Sequence, residues 1–273
     1  MTEQIAVVTG AELVAGNRIE RINILGVGVS AINPEIAVST IDRWIRQRAR
    51  QYICVADVHS VMECHHDAGV RRICNAAGLV TPDGMPLAWL LKLAGHRYAE
   101  RVCGSDLMFA VFGRGEKRGY RHFLYGSSEQ TLRLLRRKLE RRFPGATIVG
   151  SISPPFRPLS EAEDRSIVAA INDAGADIVW VGLGAPKQER WMADHRAALE
   201  APILIGVGAA FDFHAGLVRR APRFLQRSGL EWLFRLCMEP RRLWRRYLTN
   251  NPQFLVDVIA QWSGLRRYPD PTS

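Results

Sequence analysis

Over its first two thirds the chain alternates short β-branched runs with longer stretches of helical periodicity. The apolar runs at 22–27, 52–58, 79–80, 122–125, 147–149, 178–183 and 203–207 read as buried strands. The segments 34–50, 61–77, 85–93, 106–112, 129–143, 161–174 and 187–199 read as helices. Leu132, Leu135, Leu139 and Phe143 recur at helical spacing with arginines filling the opposite face. Asn33-Pro34 supplies an N-cap and a first-turn proline, and Ser160-Glu161-Ala162-Glu163 forms a capping box. Such alternation predicts an α/β fold: a Rossmann-like, mostly parallel sheet covered by helices on both faces. Near 215–222 the alternation stops and Arg-rich helices begin. The chain thus divides into an α/β domain over 1–217 and a helical appendage with a tail over 218–273. In the appendage, Leu230, Leu233, Phe234 and Cys237 make one stripe, which Pro240 interrupts. Asn251-Pro252 is expected to start another helix carrying Phe254, Leu255, Val258, Ile259 and Trp262, and 266–273 read as a frayed tail.

Composition sharpens this picture. With 273 residues, 47% of them hydrophobic, the chain can bury a large core and is not a disordered segment. The longest apolar stretch, 201–211, is broken by Pro202, Gly206 and Gly208, so no transmembrane helix is expected. Glu3 and Glu12, with no basic start before the first apolar stretch, do not read as a signal peptide. Five cysteines without a C-x-x-C pair read as reduced thiols of a cytoplasmic protein. The net charge of +10 is concentrated: residues 218–248 hold nine arginines and two acids, interleaved with Phe224, Trp232, Phe234, Trp244 and Tyr247. That mixture suits nucleic acid or an anionic membrane surface, against the plainer reading of a solvated basic helix.

Several motifs carry candidate chemistry. Gly26-Val27-Gly28-Val29-Ser30-Ala31 matches G-x-G-x-x-A, with Asp57 as a ribose ligand, and would support a Rossmann-type oxidoreductase. Asn33-Pro34 argues against it by placing the helix start beyond the glycines. Thr81-Pro82-Asp83-Gly84 is ordinary turn chemistry, yet at the carboxyl end of a parallel strand its carboxylate can serve as a general base. Gly182-Leu183-Gly184-Ala185-Pro186-Lys187-Gln188-Glu189 runs from a strand through a small-residue loop into a helix. Lys187 and Gln188 put a cation and an amide at that mouth, without the spacing of a Walker A loop. Gly126-Ser127-Ser128 and Gly206-Val207-Gly208-Ala209-Ala210 repeat the arrangement, and the three mouths suggest a nucleotide cleft. Cys64-His65-His66-Asp67 lacks a second cluster to complete a metal site, and no Gly-x-Ser-x-Gly elbow anchors a hydrolase triad.

Taken in order, these motifs resemble the WecG/TagA/CpsF family of bacterial glycosyltransferases. The resemblance rests on Thr81-Pro82-Asp83-Gly84-Met85-Pro86, Glu100-Arg101-Val102 with Gly104-Ser105-Asp106-Leu107-Met108, and the stretch 182–189. It continues through Gly206-Val207-Gly208-Ala209-Ala210-Phe211-Asp212, Arg220-Ala221-Pro222, Gly229-Leu230-Glu231-Trp232 and the run 239–248. It implies an inverting, metal-independent transfer, without a cofactor, of a hexose or N-acetylhexosamine from a UDP-sugar to a polyprenyl-diphosphate-linked saccharide, in cell-surface polysaccharide synthesis. By the same resemblance Asp83 is the base and Arg101 and Gln188 are active-site residues. UDP is expected across 126–128 and 184–188, with Gly126, Ser127, Gly184, Lys187 and Asp212 binding substrate and Phe156 beside the uracil ring. The appendage, with Arg235, Arg241, Arg242, Arg245 and Arg246, is expected to dock on the inner face of the plasma membrane and complete the site. Where several members carry Thr-x-Asn, this chain reads Val55-Ala56-Asp57 followed by His59, so Asp57 or His59 is expected to meet donor or acceptor instead. A nucleic-acid-binding protein would use the same arginines, but no recognised binding motif accompanies them. A homo-oligomer is compatible with the sequence.

Overall fold

The computed structural model describes residues 19–271; the acidic N-terminal residues Glu3 and Glu12 lie outside them. Six parallel strands form the central sheet: β3 (Gln51–Ala56), β4 (Leu79–Pro82), β5 (Arg121–Gly126), β6 (Thr147–Ile152), β7 (Ile178–Gly182) and β8 (Ile203–Gly206). Their order across the sheet is β4-β3-β8-β7-β5-β6. Alternate residues supply two cores, because successive side chains of a strand point to opposite faces. Cys54, Val179, Val181 and Leu204 join the core on one face, and Ile53, Ile178, Trp180 and Ile205 join that on the other. The mostly parallel α/β architecture is thus as the alternation predicts.

The apolar run at 22–27 behaves differently from a single strand. It folds into an antiparallel hairpin of β1 (Arg21–Ile24) and β2 (Val27–Ser30), with Ile24 opposite Val27. Leu25 and Gly26 turn it with φ of 52° and 90°, the left-handed pair that a two-residue hairpin requires. Gly26 and Gly28 therefore sit in a hairpin and not at the mouth of a helix. A dinucleotide fingerprint needs a helix N-terminus for the pyrophosphate, so the oxidoreductase reading loses its structural context.

Helices cover both faces: α1 (Pro34–Arg46), α2 (Val58–His66), α3 (Ala68–Ala76), α4 (Met85–Leu93), α5 (Gly104–Arg118), α6 (Glu129–Arg142), α7 (Glu161–Asp173), α8 (Lys187–His195) and α9 (Ala210–Ala215). The caps read from sequence are formed: Asn33 accepts from the Ile36 amide, and Ser160 and Glu163 make a reciprocal capping box. The segment 61–77 is two helices. Asp67 separates them by accepting from the Gly69 and Val70 amides, a local side-chain bond that competes with helix continuation.

Beyond the sheet follow α10 (Arg223–Arg227), α11 (Glu231–Met238) and α12 (Pro240–Trp262). Pro240 interrupts the stripe as expected: α11 ends at Met238 and Pro240 opens α12, in the first turn, where its missing N–H costs nothing. Pro252, by contrast, does not start a new helix but lies inside α12. It removes one intrahelical bond, while Leu243, Tyr247, Phe254 and Val258, buried on either side of it, hold both halves in place. Phe254 and Val258 belong to the same core as β3 and α2. The tail is not frayed over its described part. Asn23 donates to the Pro269 carbonyl at 2.9 Å, Gln261 bridges Asn23 and Leu25 at 2.9 and 3.0 Å, and Arg266 pairs with Asp257 at 2.7 Å. The end of the chain thereby straps α12 to the first hairpin.

Gly126 closes β5 opposite Gly182 at φ 117°, and a Cβ there would lie 2.6 Å from the Gly182 backbone. Gly119 also has a positive φ, 71°, but with open space around it. Gly126→Ala is expected to cost about 3 kcal/mol, combining strain with a backbone clash, and to lower Tm by roughly 10 °C. Gly119→Ala should cost only about 1 kcal/mol. Thermal melts of both variants check this, and equal melts would remove the close approach as the cause.

Candidate active site

The carboxyl ends of β3, β4, β5, β7 and β8 open into one cavity of about 810 Å³, roofed by α11 and α12. Strand ends are where open α/β sheets bind ligands, and this volume suits a sizeable small molecule.

Asp57, at the end of β3, caps α2: its Oδ1 accepts from the Ser60 amide at 2.9 Å and hydroxyl at 3.0 Å. Its Oδ2 accepts from Arg246 of α12 at 2.7 Å. Burial pushes the carboxyl up, but Arg246, His59 and the Ser60 donors outweigh it and bring it down to about 2. His59 meets Asn250 of α12 at 2.9 Å through Nδ1. Burial and the Arg246 charge hold its imidazole below the usual range, so the ring is neutral at pH 7.

Asp83 follows β4, and its amide donates to the Ala56 carbonyl at 2.8 Å, which fixes the turn against the end of β3. Its carboxyl lies 3.2 Å from Arg101 Nη2, while Arg101 Nε donates to the Asp83 backbone carbonyl. The same Nη2 is 2.6 Å from Glu231 of α11. Burial is the main influence on Asp83; the Arg101 charge opposes it, Asp57 and Glu231 add to it, and the carboxyl stands at about 6. A base so tuned is deprotonated at neutral pH yet basic enough to take a proton. Arg101 stays charged, because Asp83 and Glu231 outweigh its burial.

Gln188 is buried in the first turn of α8, and both ends of its amide are used. Its Oε1 accepts from the Gly208 amide at 3.0 Å, and its Nε2 donates to Glu189 at 2.9 Å. It lines the cavity and ties α8 to the loop after β8. Glu189 is pushed up to about 7, chiefly by burial.

The other residues divide cleanly. Ser127, Gly184 and Asp212 line the cavity, and so does Phe156, at its rim and 89% exposed. Asp212 is raised by burial and by Glu239 against the nearby Arg242. Gly126 and Lys187 do not line the cavity: Gly126 serves the approach of β5 to β7, and Lys187 is exposed on α8. Of the arginines, Arg235, Arg242 and Arg246 line the cavity, Arg242 from an exposed position, whereas Arg241 and Arg245 are exposed on α12 and do not line it. Sequence reasoning gave no role in the site to Glu231, Tyr247 or Asn251, which also line it; Glu231 entered only within a motif, Tyr247 as an interfacial aromatic and Asn251 as a helix start. The Cys64-His65-His66-Asp67 run diverges as its spacing predicts. Cys64 is buried against Cys74, His65 faces Asp257 at 3.8 Å, and Asp67 caps α3. Among the described residues, no group of three or more His, Cys, Asp or Glu side chains is placed to hold a metal ion. Nor is any helix among them long and apolar enough to cross a membrane.

The profile of the glycosyl transferase WecG/TagA/CpsF family matches residues 22–268. An N-acetylglucosaminyldiphosphoundecaprenol N-acetyl-beta-D-mannosaminyltransferase of Bacillus subtilis (strain 168) is 28% identical over 249 residues, covering 90% of this chain and 85% of that protein. A protein of the same name from Bacillus spizizenii is 29% identical over 216 residues, 79% of this chain and 81% of that one.

Proposed function

Because the chain belongs to the WecG/TagA/CpsF family of glycosyltransferases, we propose that it moves a hexose or N-acetylhexosamine from a UDP-sugar to a polyprenyl-diphosphate-linked saccharide, with inversion. The observation that carries this reading is the placement of Asp83, a carboxylate of raised basicity, on the floor of a cavity with three arginines in its roof. In the reaction the acceptor hydroxyl attacks the anomeric carbon as Asp83 takes its proton. The bond from that carbon to the diphosphate breaks on the opposite face, and UDP leaves. The mouths at Ser127 and Gly184, near the N-termini of α6 and α8, suit the departing diphosphate, since helix N-termini attract anionic groups. Arg235, Arg242 and Arg246 suit the diphosphate of the lipid-linked acceptor, with Phe254 and Leu255 beside the start of its chain. The N-acetylglucosaminyldiphosphoundecaprenol in the relatives' name fits that division of the cavity.

The acceptor's lipid also supports a peripheral place at the inner face of the plasma membrane. Trp244, Leu248, Val256, Ile259, Trp262 and Leu265 are exposed apolar side chains on or just after α12, beside Arg241 and Arg245. Aromatic and basic residues of this kind suit the bilayer interface.

A screen of UDP-sugars, UDP-N-acetylmannosamine among them, against a short-chain prenyl-diphosphate N-acetylglucosamine tests the reaction by UDP release and product mass. One sugar should be added from one donor; no release with any donor would remove the reading. Calorimetry tests the metal-independent part separately. UDP is expected to bind equally with and without EDTA, and loss of binding in EDTA would show that a divalent ion is required.

A further inference from the structure

We propose that Glu231 is a positioning residue for the reaction: by drawing the Arg101 guanidinium toward itself, it keeps Asp83 a competent base. This deepens the reading of Asp83 as the base and rests on it.

The geometry is a shared cation. Arg101 Nη2 lies 3.2 Å from Asp83 Oδ1 and 2.6 Å from Glu231 Oε2, so the shorter contact belongs to Glu231. Arg101 Nε is engaged by the Asp83 backbone carbonyl, which fixes the guanidinium between the two carboxylates. Both the Arg101 and Glu231 side chains are largely buried, at 17% and 18% exposure, so their charges are poorly screened. Glu231 comes from outside the sheet, as the first residue of α11. The turn before it is seated firmly: Gly229 has φ 74°, and a Cβ there would lie 2.7 Å from the Trp89 ring.

A lone arginine beside a carboxylate stabilises its charged form and makes it a weak base. A second carboxylate competes for that cation and also repels the first. The other groups facing Asp83 do not replace this effect. Cys103, on the same loop as Arg101, is pushed up to about 12, chiefly by burial, and stays neutral. Asp57, across at the end of β3, also raises Asp83, ahead of Glu231, but its ion pair is with Arg246 and not with Arg101. Glu231 is thus the carboxylate that competes with Asp83 for Arg101, and its charge, after that of Asp57, adds to the upward displacement of Asp83.

The test uses the full-length chain with aspartate labelled at the carboxyl carbon. The Asp83 resonance is assigned by its loss in D83N and titrated by NMR in wild type, E231Q and E231D. The pH dependence of kcat/KM is measured in parallel on the lipid-linked acceptor. In E231Q the Asp83 midpoint is expected to fall by about one pH unit, the acid limb of the profile to move with it, and kcat to drop while donor KM holds. E231D keeps the charge and is expected to keep the midpoint near wild type. An unchanged midpoint in E231Q would overturn the proposal whatever the activity. So would an equal fall in E231D, which would point to loosened packing. The titration needs no turnover, and if E231Q does not fold, Glu231→Met gives the same readout at similar volume. Wild-type turnover in D83N would instead overturn the reading of Asp83 as the base, so the two failures are distinguishable.

Discussion

Asp83→Asn is expected to lower turnover by roughly 10²–10⁴-fold, the usual worth of a positioned general base, with UDP binding unchanged. The amide keeps the shape of the side chain and its place beside Arg101, but cannot take the acceptor proton. Its effect should appear in kcat and kcat/KM together, because proton transfer belongs to the transition state and not to donor binding. A pH profile adds an independent check. The Asp83 carboxyl stands at about 6, so the base is lost as pH falls through that value. Wild-type kcat/KM should therefore fall about tenfold per pH unit below about pH 6 and level off above it. Stopped assays under saturating donor decide the matter, and near-wild-type turnover in D83N would remove Asp83 from the chemistry.

The second large effect concerns the membrane. Arg241 and Arg245 lie one helical turn apart, both exposed on α12, beside the exposed Trp244. Arg242 and Arg246 line the cavity, where Arg246 pairs with Asp57 and Arg242 with Glu239 at 2.6 Å. Each arginine near an anionic bilayer contributes about 1 kcal/mol, so Arg241→Ala with Arg245→Ala should weaken binding to anionic vesicles by roughly 30-fold. Neutral vesicles should show no such difference, and added salt should shrink it. Arg246→Ala is expected to do the reverse, holding vesicle binding while turnover falls, because it strips Asp57 of its cation. Co-sedimentation of the variants with anionic and neutral vesicles measures this, and equal sedimentation of wild type and the double variant would sink the docking role. Deleting the chain from Val218 onward is a poorer experiment, since it would also pull Phe254 and Val258 out of the core they share with β3 and α2.

Much of the molecule was legible in the order of its residues. Apolar runs of strand length between capped amphipathic segments specify a parallel sheet, because each run must be buried on both faces. The small-residue loops after β5, β7 and β8, with Asp83 after β4, marked the cavity, since strand ends in such a sheet converge on one edge. The hairpin was not legible. Two four-residue strands joined by Leu25 and Gly26 carry the same apolar run as one longer strand, and only cross-strand pairing separates them. Nor could Pro252 reveal that α12 continues through it, because the burial of Tyr247, Phe254 and Val258 outweighs one lost hydrogen bond. By helical periodicity Arg241, Arg242, Arg245 and Arg246 make one basic face, two rows of residues four apart, expected as a whole at the membrane. Which row faces the cavity was settled by the packing of α12 on α2, which brings Arg246 to Asp57 across 189 residues of chain. Glu231 meets Arg101 by the same means. Local pattern determines which residues share a face; only tertiary packing decides what that face meets, because burying a charge requires a partner that sequence spacing does not record.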